Sequence, residues 1–216
     1  MAALLTNHAP IRVYQTRTNT TEQTQSYPEA AGQTFLFGTP VTQDASGNII
    51  PCTTPTSGAP RTILGISESN AFNLPTAGAG SPPLFGSVGF PGAAPTYGTV
   101  PNQPPAVNIV AGSTFVDGRT MVAQAVDTTI FIGQTDAATG AVYAPTNAMV
   151  GHQFNLVLDP SGHWYVDLGS IDAGAGTSLT MLGIYPNDYA PGSITSGVNN
   201  ALIFFTFNIA VTRVQQ

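Results

Sequence analysis

Residues 32–67 read GQTFLFGTPVTQDASGNIIPCTTPTSGAPRTILGIS and carry the clearest strand and turn signals of the chain. Phe35 and Phe37 are two residues apart, and side chains at this spacing share one face of an extended segment. Such a period is typical of a half-buried strand. We therefore predict a strand that ends at the glycine after Phe37.

Turn and bend signals follow this strand. Gly38 can adopt a positive φ and Pro40 cannot donate a backbone hydrogen bond, so we expect a bend there and a short strand from Val41. Residues 44–47, Asp-Ala-Ser-Gly, are turn formers. Gly65 interrupts the apolar run Ile-Leu-Gly-Ile, which predicts a curved strand or the close approach of another backbone. Together these signals predict a small curled β unit.

The order of these pieces, G-Q-x-F, G-T-P-V, a glycine-bearing turn and I-L-G-I-S, resembles the opening β unit of the head decoration, or capsid cement, proteins of tailed bacteriophages. Residues 132–168 are similar to the second half of some of these proteins. The resemblance implies a structural protein that is made in the host cytoplasm and binds the major capsid protein on the capsid exterior of the virion. It favours a homotrimer at three-fold or quasi-three-fold positions, with a dimer as the second choice.

Composition favours an all-β chain. Of the 216 residues 42% are apolar and only 7% are charged, with 23 glycines and 18 prolines. Glycine and proline at this density interrupt helices, whereas the high apolar content is unlike that of a disordered chain. We predict compact curled β-barrel or sandwich units with long Gly/Pro-rich loops and an extended N-terminal arm, with less than about a tenth helix.

The chain divides into three segments on sequence grounds. Residues 1–31 form a polar arm, residues 32–105 a first β unit with an elaborated loop, and residues 106–216 a second β unit. The arm is rich in threonine and glutamine and has one alternating apolar patch, Ile11 and Val13. Such an arm either adds to the sheet edge of another chain or frays.

Aromatic residues recur among the glycines and prolines of the loop between residues 71 and 105. They are either tucked beneath the loop or displayed for contact with a neighbour. Long structured loops in compact domains tend to be functional, so we expect the arm and this loop to contact the capsid or another subunit. The predicted contact residues are Ile11, Val13, Phe72, Phe85, Phe90 and Tyr97.

Strand patterns return after residue 105. Asp117-Gly118 between apolar runs predicts a hairpin. A second hairpin is predicted by alternating apolar residues on both sides of the turn Asp159-Pro160-Ser161-Gly162. Its inward-facing residues are expected to be Phe154, Leu156, Leu158, Trp164, Val166 and Leu168.

The apolar density of residues 201–211 predicts a central strand buried on both faces. Before it, residues 178–188 repeat part of the earlier run, with Leu182-Gly183-Ile184 in the place of Leu64-Gly65-Ile66. The repeat suggests two similar β units, although apolar strands flanked by glycine are common in β proteins.

Charge and targeting signals exclude several classes of protein. The formal net charge is −6, and the five cations are arginines scattered at positions 12, 17, 61, 119 and 213. No basic stripe is present to neutralise a nucleic-acid backbone. The N-terminal sequence lacks a cationic leader and no stretch is long enough to span a membrane, so we expect neither nucleic acid nor membrane as a partner. Cys52 is the single cysteine and is interpreted as incidental.

Catalytic and metal-binding patterns are weak. His152 and His163 flank the second hairpin too far apart along the ribbon to share a metal ion. Four aspartates, at positions 44, 117, 136 and 159, are interpreted as turn formers. Trp164 shares a strand face with apolar residues, which favours a core position over a sugar platform. The sequence contains none of the common nucleophile, phosphate-loop or zinc motifs, so we predict no enzyme, no cofactor and no metal.

Two function classes remain. The first is a structural decoration protein that binds an assembled capsid and stabilises it. The alternative is a head or tail appendage, fibre-like, that recognises a carbohydrate or a host surface. An exposed aromatic cleft would favour the second class, and a flat polar surface with an ordered arm would favour the first.

Overall fold

A computed structural model describes residues 7–17, 24–30, 33–52, 63–71, 119–126, 128–138, 143–173 and 177–208. Within these ranges the regular structure is β-strand, apart from 3₁₀ turns at Asn147–Met149, Leu168–Ser170 and Pro186–Asp188. The prediction of an all-β fold is confirmed.

The described residues form eleven strands. They are β1 (Arg12–Thr16), β2 (Thr24–Pro28), β3 (Pro40–Gln43), β4 (Ile49–Pro51), β5 (Gly65–Ser67), β6 (Arg119–Gln124), β7 (Thr129–Asp136), β8 (Gln153–Leu158), β9 (Trp164–Asp167), β10 (Leu179–Ile184) and β11 (Leu202–Phe207).

Five of these strands close into a barrel. The strand order is β7-β11-β10-β8-β9, and β9 pairs with β7 in parallel through Thr135 and Val166, which completes the ring. The other pairs around the ring are antiparallel. Strand β1 pairs with the first half of β7, so the N-terminal segment lies on the barrel of its own chain.

The second sheet has the strand order β2-β6-β5-β3-β4. Its two edge strands approach each other, because Glu29 and Ile49 form a bridge and Ala30 N–H donates to the Ile49 carbonyl at 3.1 Å. This sheet is therefore strongly curled, as residues 32–67 predict.

One apolar core joins the barrel to the second sheet. Phe131 and Phe207 pack edge to face with ring centres 5.1 Å apart, and Phe205 contacts both rings. The same cluster contains residues of the second sheet, including Ile66 and Ala123. Burying a phenylalanine or isoleucine side chain stabilises the fold by about 1.5–3 kcal/mol, so this shared cluster holds the two sheets together.

Strand pairing crosses the predicted segment boundaries. Strands β1 and β2 of residues 1–31 pair with β7 and β6, which belong to residues 106–216. Strand β5 of residues 32–105 also pairs with β6. A strand needs a hydrogen-bonding edge that is near in space, whatever its separation along the chain. The described strands of the three segments therefore share their sheets.

The glycines of residues 32–67 have the backbone conformations and contacts that the sequence predicts. Gly38 has φ +84°, and Gly47 has φ +85° in the β3–β4 turn, where Asp44 accepts the backbone N–H of Ser46. A Cβ on Gly65 would lie 2.1 Å from the carbonyl oxygen of Ala123. The predicted close approach of a second backbone is thus confirmed at β5 and β6.

The predicted strand through Phe35 and Phe37 is wrong. Residues 33–36 form no ladder, and the first strand of this stretch begins at Pro40. Phe35 is buried but Phe37 is exposed. The chain turns at Phe37, whose N–H donates to Asn70 Oδ1 at 2.8 Å, so the two rings do not share a face.

The second predicted hairpin is confirmed as β8 and β9, with Gly162 at φ +89°. Trp164 is buried in the core, as expected. Leu158 differs from the prediction, because it is 45% exposed next to the turn. Tyr165, on the other face of β9 from Trp164, is buried as well.

Strand β11 is central, between β7 and β10, as predicted. The prediction that both of its faces are buried is wrong, since Ile203, Phe205 and Phe207 are buried whereas Phe204, on the outer face, is only partly covered. Two predicted features, the Asp117-Gly118 turn and the strand beyond residue 208, lie outside the described residues.

Candidate functional site: an outer aromatic face and a loop rim

The structure places two of the predicted contact residues. Ile11 is fully buried in the chain's own core and Val13 packs against that core. Gly133 makes room for Ile11 and Phe205, because a Cβ there would lie 3.4 Å from Ile11 Cγ1 and 3.0 Å from Phe205 Cε1. Ile11 therefore has no surface to offer a partner in this arrangement. The other predicted contact residues, Phe72, Phe85, Phe90 and Tyr97, lie outside the described residues.

Three aromatic rings form a row on the outside of the barrel, which we name the outer aromatic face. Phe204 lies in the middle, with the Tyr14 ring centre 4.5 Å away and the Tyr185 ring centre 5.7 Å away. Tyr14 is 48% exposed. Ile132, opposite Phe204 in the ladder, is nearly fully covered, so the exposed part of this face comes mainly from Tyr14.

Irregularities in two strands shape the outer aromatic face. In β1 the register shifts between Val13 and Gln15, which leaves Tyr14 as the extra residue of a β-bulge. A bulge re-aims the side chain that it carries. In β10 a second shift sets Gly183 opposite Phe204, and a Cβ at Gly183 would lie 3.8 Å from that ring. The two irregularities therefore place Tyr14 and Gly183 beside the Phe204 ring.

A second exposed apolar surface comes from two loops, residues 143–150 and 190–198, which we name the loop rim. Its exposed apolar side chains are Ile194, Val150 and Val198, which are 84%, 41% and 37% exposed. Single exposed apolar residues are normal on protein surfaces. Here, however, three of them lie on loops that are bound to each other.

Hydrogen bonds fix the backbone of the loop rim. Asn147 donates its backbone N–H to the Thr195 carbonyl and its side-chain amide to the Ile194 carbonyl, both at 2.8 Å. Gly197 N–H donates to the Pro145 carbonyl at 2.7 Å. Tyr189 Oη also donates to Asn147 Oδ1. Ile194 is thus presented on an ordered backbone, which lowers the entropy cost of using it in a contact.

The two histidines that flank the second hairpin lie at opposite ends of β8. His152 is partly exposed, and its Nδ1 lies 2.5 Å from Asp172 Oδ2. The Gln153 backbone N–H and His152 both donate to Asp172, and these bonds lower the pKa of its carboxyl group. Within the described residues no group of three or more His, Cys, Asp or Glu side chains is arranged to hold a metal ion.

The third histidine, His8, joins the arm to the barrel. Its Nδ1 lies 2.9 Å from Asp159 Oδ2 and its Nε2 lies 3.1 Å from Asp136 Oδ2. The imidazole stacks on the Tyr165 ring at a centre distance of 4.1 Å. All of these side chains are buried.

Local hydrogen bonds set the charge state of Asp159. Burial raises the pKa of its carboxyl group, but donation from the backbones of His163, His8 and Ser161 and from the His8 ring lowers it by more. Asp159 is thus the predicted turn former and also a partner of the arm. Burial, together with the charges of Asp167, Asp136 and Asp159, raises the pKa of Tyr165 to about 12.

The prediction that Asp136 serves as a turn former is only partly right. One of its oxygens does accept the Ala137 N–H at 2.7 Å, but the other contacts His8. Sequence reasoning missed this cluster because His8 is 128 residues from Asp136 and 151 from Asp159. No local pattern links residues at such separations.

No helix in the described part of the chain is long and apolar enough to cross a membrane. Comparisons with protein-family models, with curated proteins and with solved structures give no significant match to this chain.

Proposed function

We propose that this chain is a head decoration protein that binds the outer surface of an assembled tailed-phage capsid and stabilises it. The observation that carries the proposal is the loop rim, an ordered surface on which Ile194 is 84% exposed. The resemblance of residues 32–67 to capsid cement proteins supplies the class of partner, which is the major capsid protein of the head. The protein acts on the capsid exterior of the virion after synthesis in the host cytoplasm.

Composition supports contacts of this kind. With 7% charged residues and no lysine among its 216 residues, the chain has few groups for an electrostatic interface. Apolar and backbone contacts depend little on ionic strength, unlike contacts between exposed charges. Binding to the head is therefore expected to change little between low and moderate salt.

Stabilisation follows from mass action. A protein that binds the assembled shell in preference to free capsid subunits adds its binding free energy to the shell, about 2.7 kcal/mol per site at roughly 100 times the dissociation constant. This mechanism requires no catalysis and no cofactor. We also propose that the subunits associate on the shell, as homotrimers in the first instance and as dimers in the second.

The test is a comparison of two surface variants. Ile194→Ser removes the most exposed apolar side chain of the rim, and Leu158→Ser is a matched control at the far end of β8 from Val150. Loss of a central apolar anchor costs about 2 kcal/mol, or roughly 30-fold in affinity. We expect that weakening for Ile194→Ser alone, measured by co-sedimentation with purified tailed-phage heads that lack the protein.

The outcomes distinguish a wrong contact surface from a wrong function. If both variants bind heads as well as the unmodified chain does, the loop rim is not the contact. If the unmodified chain binds no heads and does not raise their melting temperature, the decoration role itself is refuted. Both substitutions are at exposed positions, where effects on folding are usually within about 0.5 kcal/mol.

The outer aromatic face favours a second candidate, binding of a carbohydrate or a host surface by a head or tail appendage. Tyr14 presents an apolar ring with a hydroxyl group, a combination that suits contacts with one apolar and one polar side. Under this reading Tyr14→Ala abolishes binding to a glycan array, while binding to heads is retained. Loss of head binding in Tyr14→Ala with no glycan bound would assign this face to the capsid instead.

A further inference from the structure

The N-terminal arm is held by buried contacts between a histidine and two carboxyl groups, which the proposed function does not use. The backbone N–H of His8 donates to Asp159 Oδ2 at 2.7 Å, and the Nδ1 atom of the same residue contacts the same oxygen. The other ring nitrogen faces Asp136. Both side-chain pairs are fully shielded from solvent.

The position of the protons follows from hydrogen-bonding rules. An ionised carboxylate only accepts hydrogen bonds, so each close contact with an imidazole nitrogen requires a proton on that nitrogen. Asp159 is held ionised by three backbone N–H groups, those of His8, Ser161 and His163. Its contact with Nδ1 therefore uses an N–H of the ring. If Asp136 is ionised as well, its contact with Nε2 requires a second proton on the ring.

Carboxylates and an aromatic ring surround the His8 imidazole. Asp136 faces His8 from β7, Asp159 from the β8–β9 turn, and Tyr165 from β9. Asp167 of β9 adds a further carboxylate near Tyr165, and its Oδ1 accepts backbone N–H groups of Ala138 and Gly169. Nearby carboxylates favour the charged form of an imidazole whereas burial opposes it, so the hydrogen-bond geometry decides the argument.

His8 also lies at the N-terminal end of the segment that pairs with the barrel. It precedes Ile11, which is buried in the core, and the Ala9 N–H beside it donates to Gln134 Oε1 at 2.8 Å. Strand β1 follows and pairs with β7, and Arg17 N–H donates to the Thr128 carbonyl. His8 thus fixes the N-terminal end of the described arm.

We propose that His8 is an imidazolium between Asp136 and Asp159, and that this triad is a latch that holds residues 7–17 on the barrel. The latch is complete while both ring nitrogens carry protons. Without a proton on Nε2, the imidazole and an ionised Asp136 would face each other with no hydrogen atom between them, and the arm would be released more often. This inference does not rest on the decoration role.

The first test observes the protons directly. The chain has three histidines, so nitrogen NMR of histidine-labelled protein resolves each ring. We expect both nitrogens of His8 to be protonated at pH 7. In Asp136→Asn the new amide donates to Nε2, so His8 becomes neutral while the shape of the site is kept. A neutral His8 ring in the unmodified chain would overturn the proposal.

The second test measures release of the arm. Trypsin cuts after arginine, and because the chain has no lysine, cleavage after Arg12 and Arg17 reports specifically on β1. Rates are divided by those of a free peptide with the same sites, which corrects for the intrinsic cleavage rate of each site. We expect both sites of the unmodified chain to be strongly protected at pH 7.

Two further variants complete this test. His8→Gln loses the cation and should be cut on the order of 100-fold faster at pH 7, as expected for a broken buried ion pair. Asp172→Asn alters the exposed pair with His152 and is the matched control, with protection unchanged. If protection of Arg12 and Arg17 is the same in His8→Gln as in the control, the latch does not exist.

Discussion

The two Leu-Gly-Ile sequences of this chain should respond oppositely to the same substitution. In Gly65→Ala the new Cβ would lie 2.1 Å from the Ala123 carbonyl oxygen and 2.8 Å from Val122 Cγ1, whereas Cβ contacts below 3.0 Å essentially do not occur. In Gly183→Ala the nearest atom would be Phe204 Cδ2 at 3.8 Å, an ordinary contact. Identical local sequences thus face different surroundings.

The cost at Gly65 follows from the ladder that it disrupts. The obstructing atom belongs to the backbone of β6, so β5 must move away by about 1 Å. That movement strains the hydrogen bonds from Ala125 N–H to the Leu64 carbonyl and from Glu68 N–H to the Met121 carbonyl, which are 2.9 and 2.8 Å long. At about 1 kcal/mol for each bond, with the packing of Ile66 in addition, we expect a loss of about 3 kcal/mol.

The assay is thermal and urea unfolding of both variants. For a chain of this length about 3 kcal/mol corresponds to a melting temperature lower by roughly 6–12 °C. Gly183→Ala should change stability by less than about 1 kcal/mol, and a gain is expected if alanine fits the strand better than glycine. Trp164, the single tryptophan, is buried in the core and provides a fluorescence signal. Equal and small shifts for the two variants would refute the close approach of β5 to β6.

The remaining predictions concern pH. The pKa of Asp159 is lowered below its usual value of 3.8, so its contribution to stability is present above that pH and is lost as pH falls through the lower folded-state pKa. Asp159→Asn should therefore be less stable than the unmodified chain at pH 7. Urea unfolding at decreasing pH should show a smaller difference in unfolding free energy between the two. A difference that stays constant with pH would contradict the lowered pKa of Asp159. The pKa of Tyr165 is raised from 10.0 to about 12, so stability should fall as pH rises from 10 towards 12 because the unfolded chain loses that proton first. Absorbance at the phenolate band should show Tyr165 among the last tyrosines to ionise. Tyr165→Phe should lose less stability than the unmodified chain between pH 10 and 12.

Local chemistry made much of the fold predictable. The turns at Asp44 and Asp159 and the glycines with positive φ depend on neighbours within a few residues, so their sequence patterns suffice. The central position of β11 was likewise predictable from its apolar density. The prediction at Phe37 failed for the opposite reason, because the Phe37 N–H donates to Asn70 Oδ1, which is 33 residues away along the chain.

The partners of strands and side chains were not predictable in this way. Leu64-Gly65-Ile66 and Leu182-Gly183-Ile184 read alike, but Gly65 lies under the backbone of β6 and Gly183 lies beside the ring of Phe204. The pairing of β1 with β7 and the contacts of His8 join residues more than a hundred positions apart. Which strands pair and which distant side chains meet depends on how whole surfaces pack, and a single sequence does not show this.

The placement of the arm changes how the proposed function must be tested. Deletion of residues 2–25 would remove all of β1, the core residue Ile11 and the buried His8 ring. Asp136 and Asp159 would then lose their shared partner, and leaving a buried charge without its partner typically costs about 3–5 kcal/mol. That loss is a large part of the 5–15 kcal/mol that stabilises an ordinary domain. A truncated chain that failed to bind heads would therefore report on folding as much as on contact. Substitution of Ile194, whose side chain is almost entirely in solvent, leaves the arm seated and tests the contact alone.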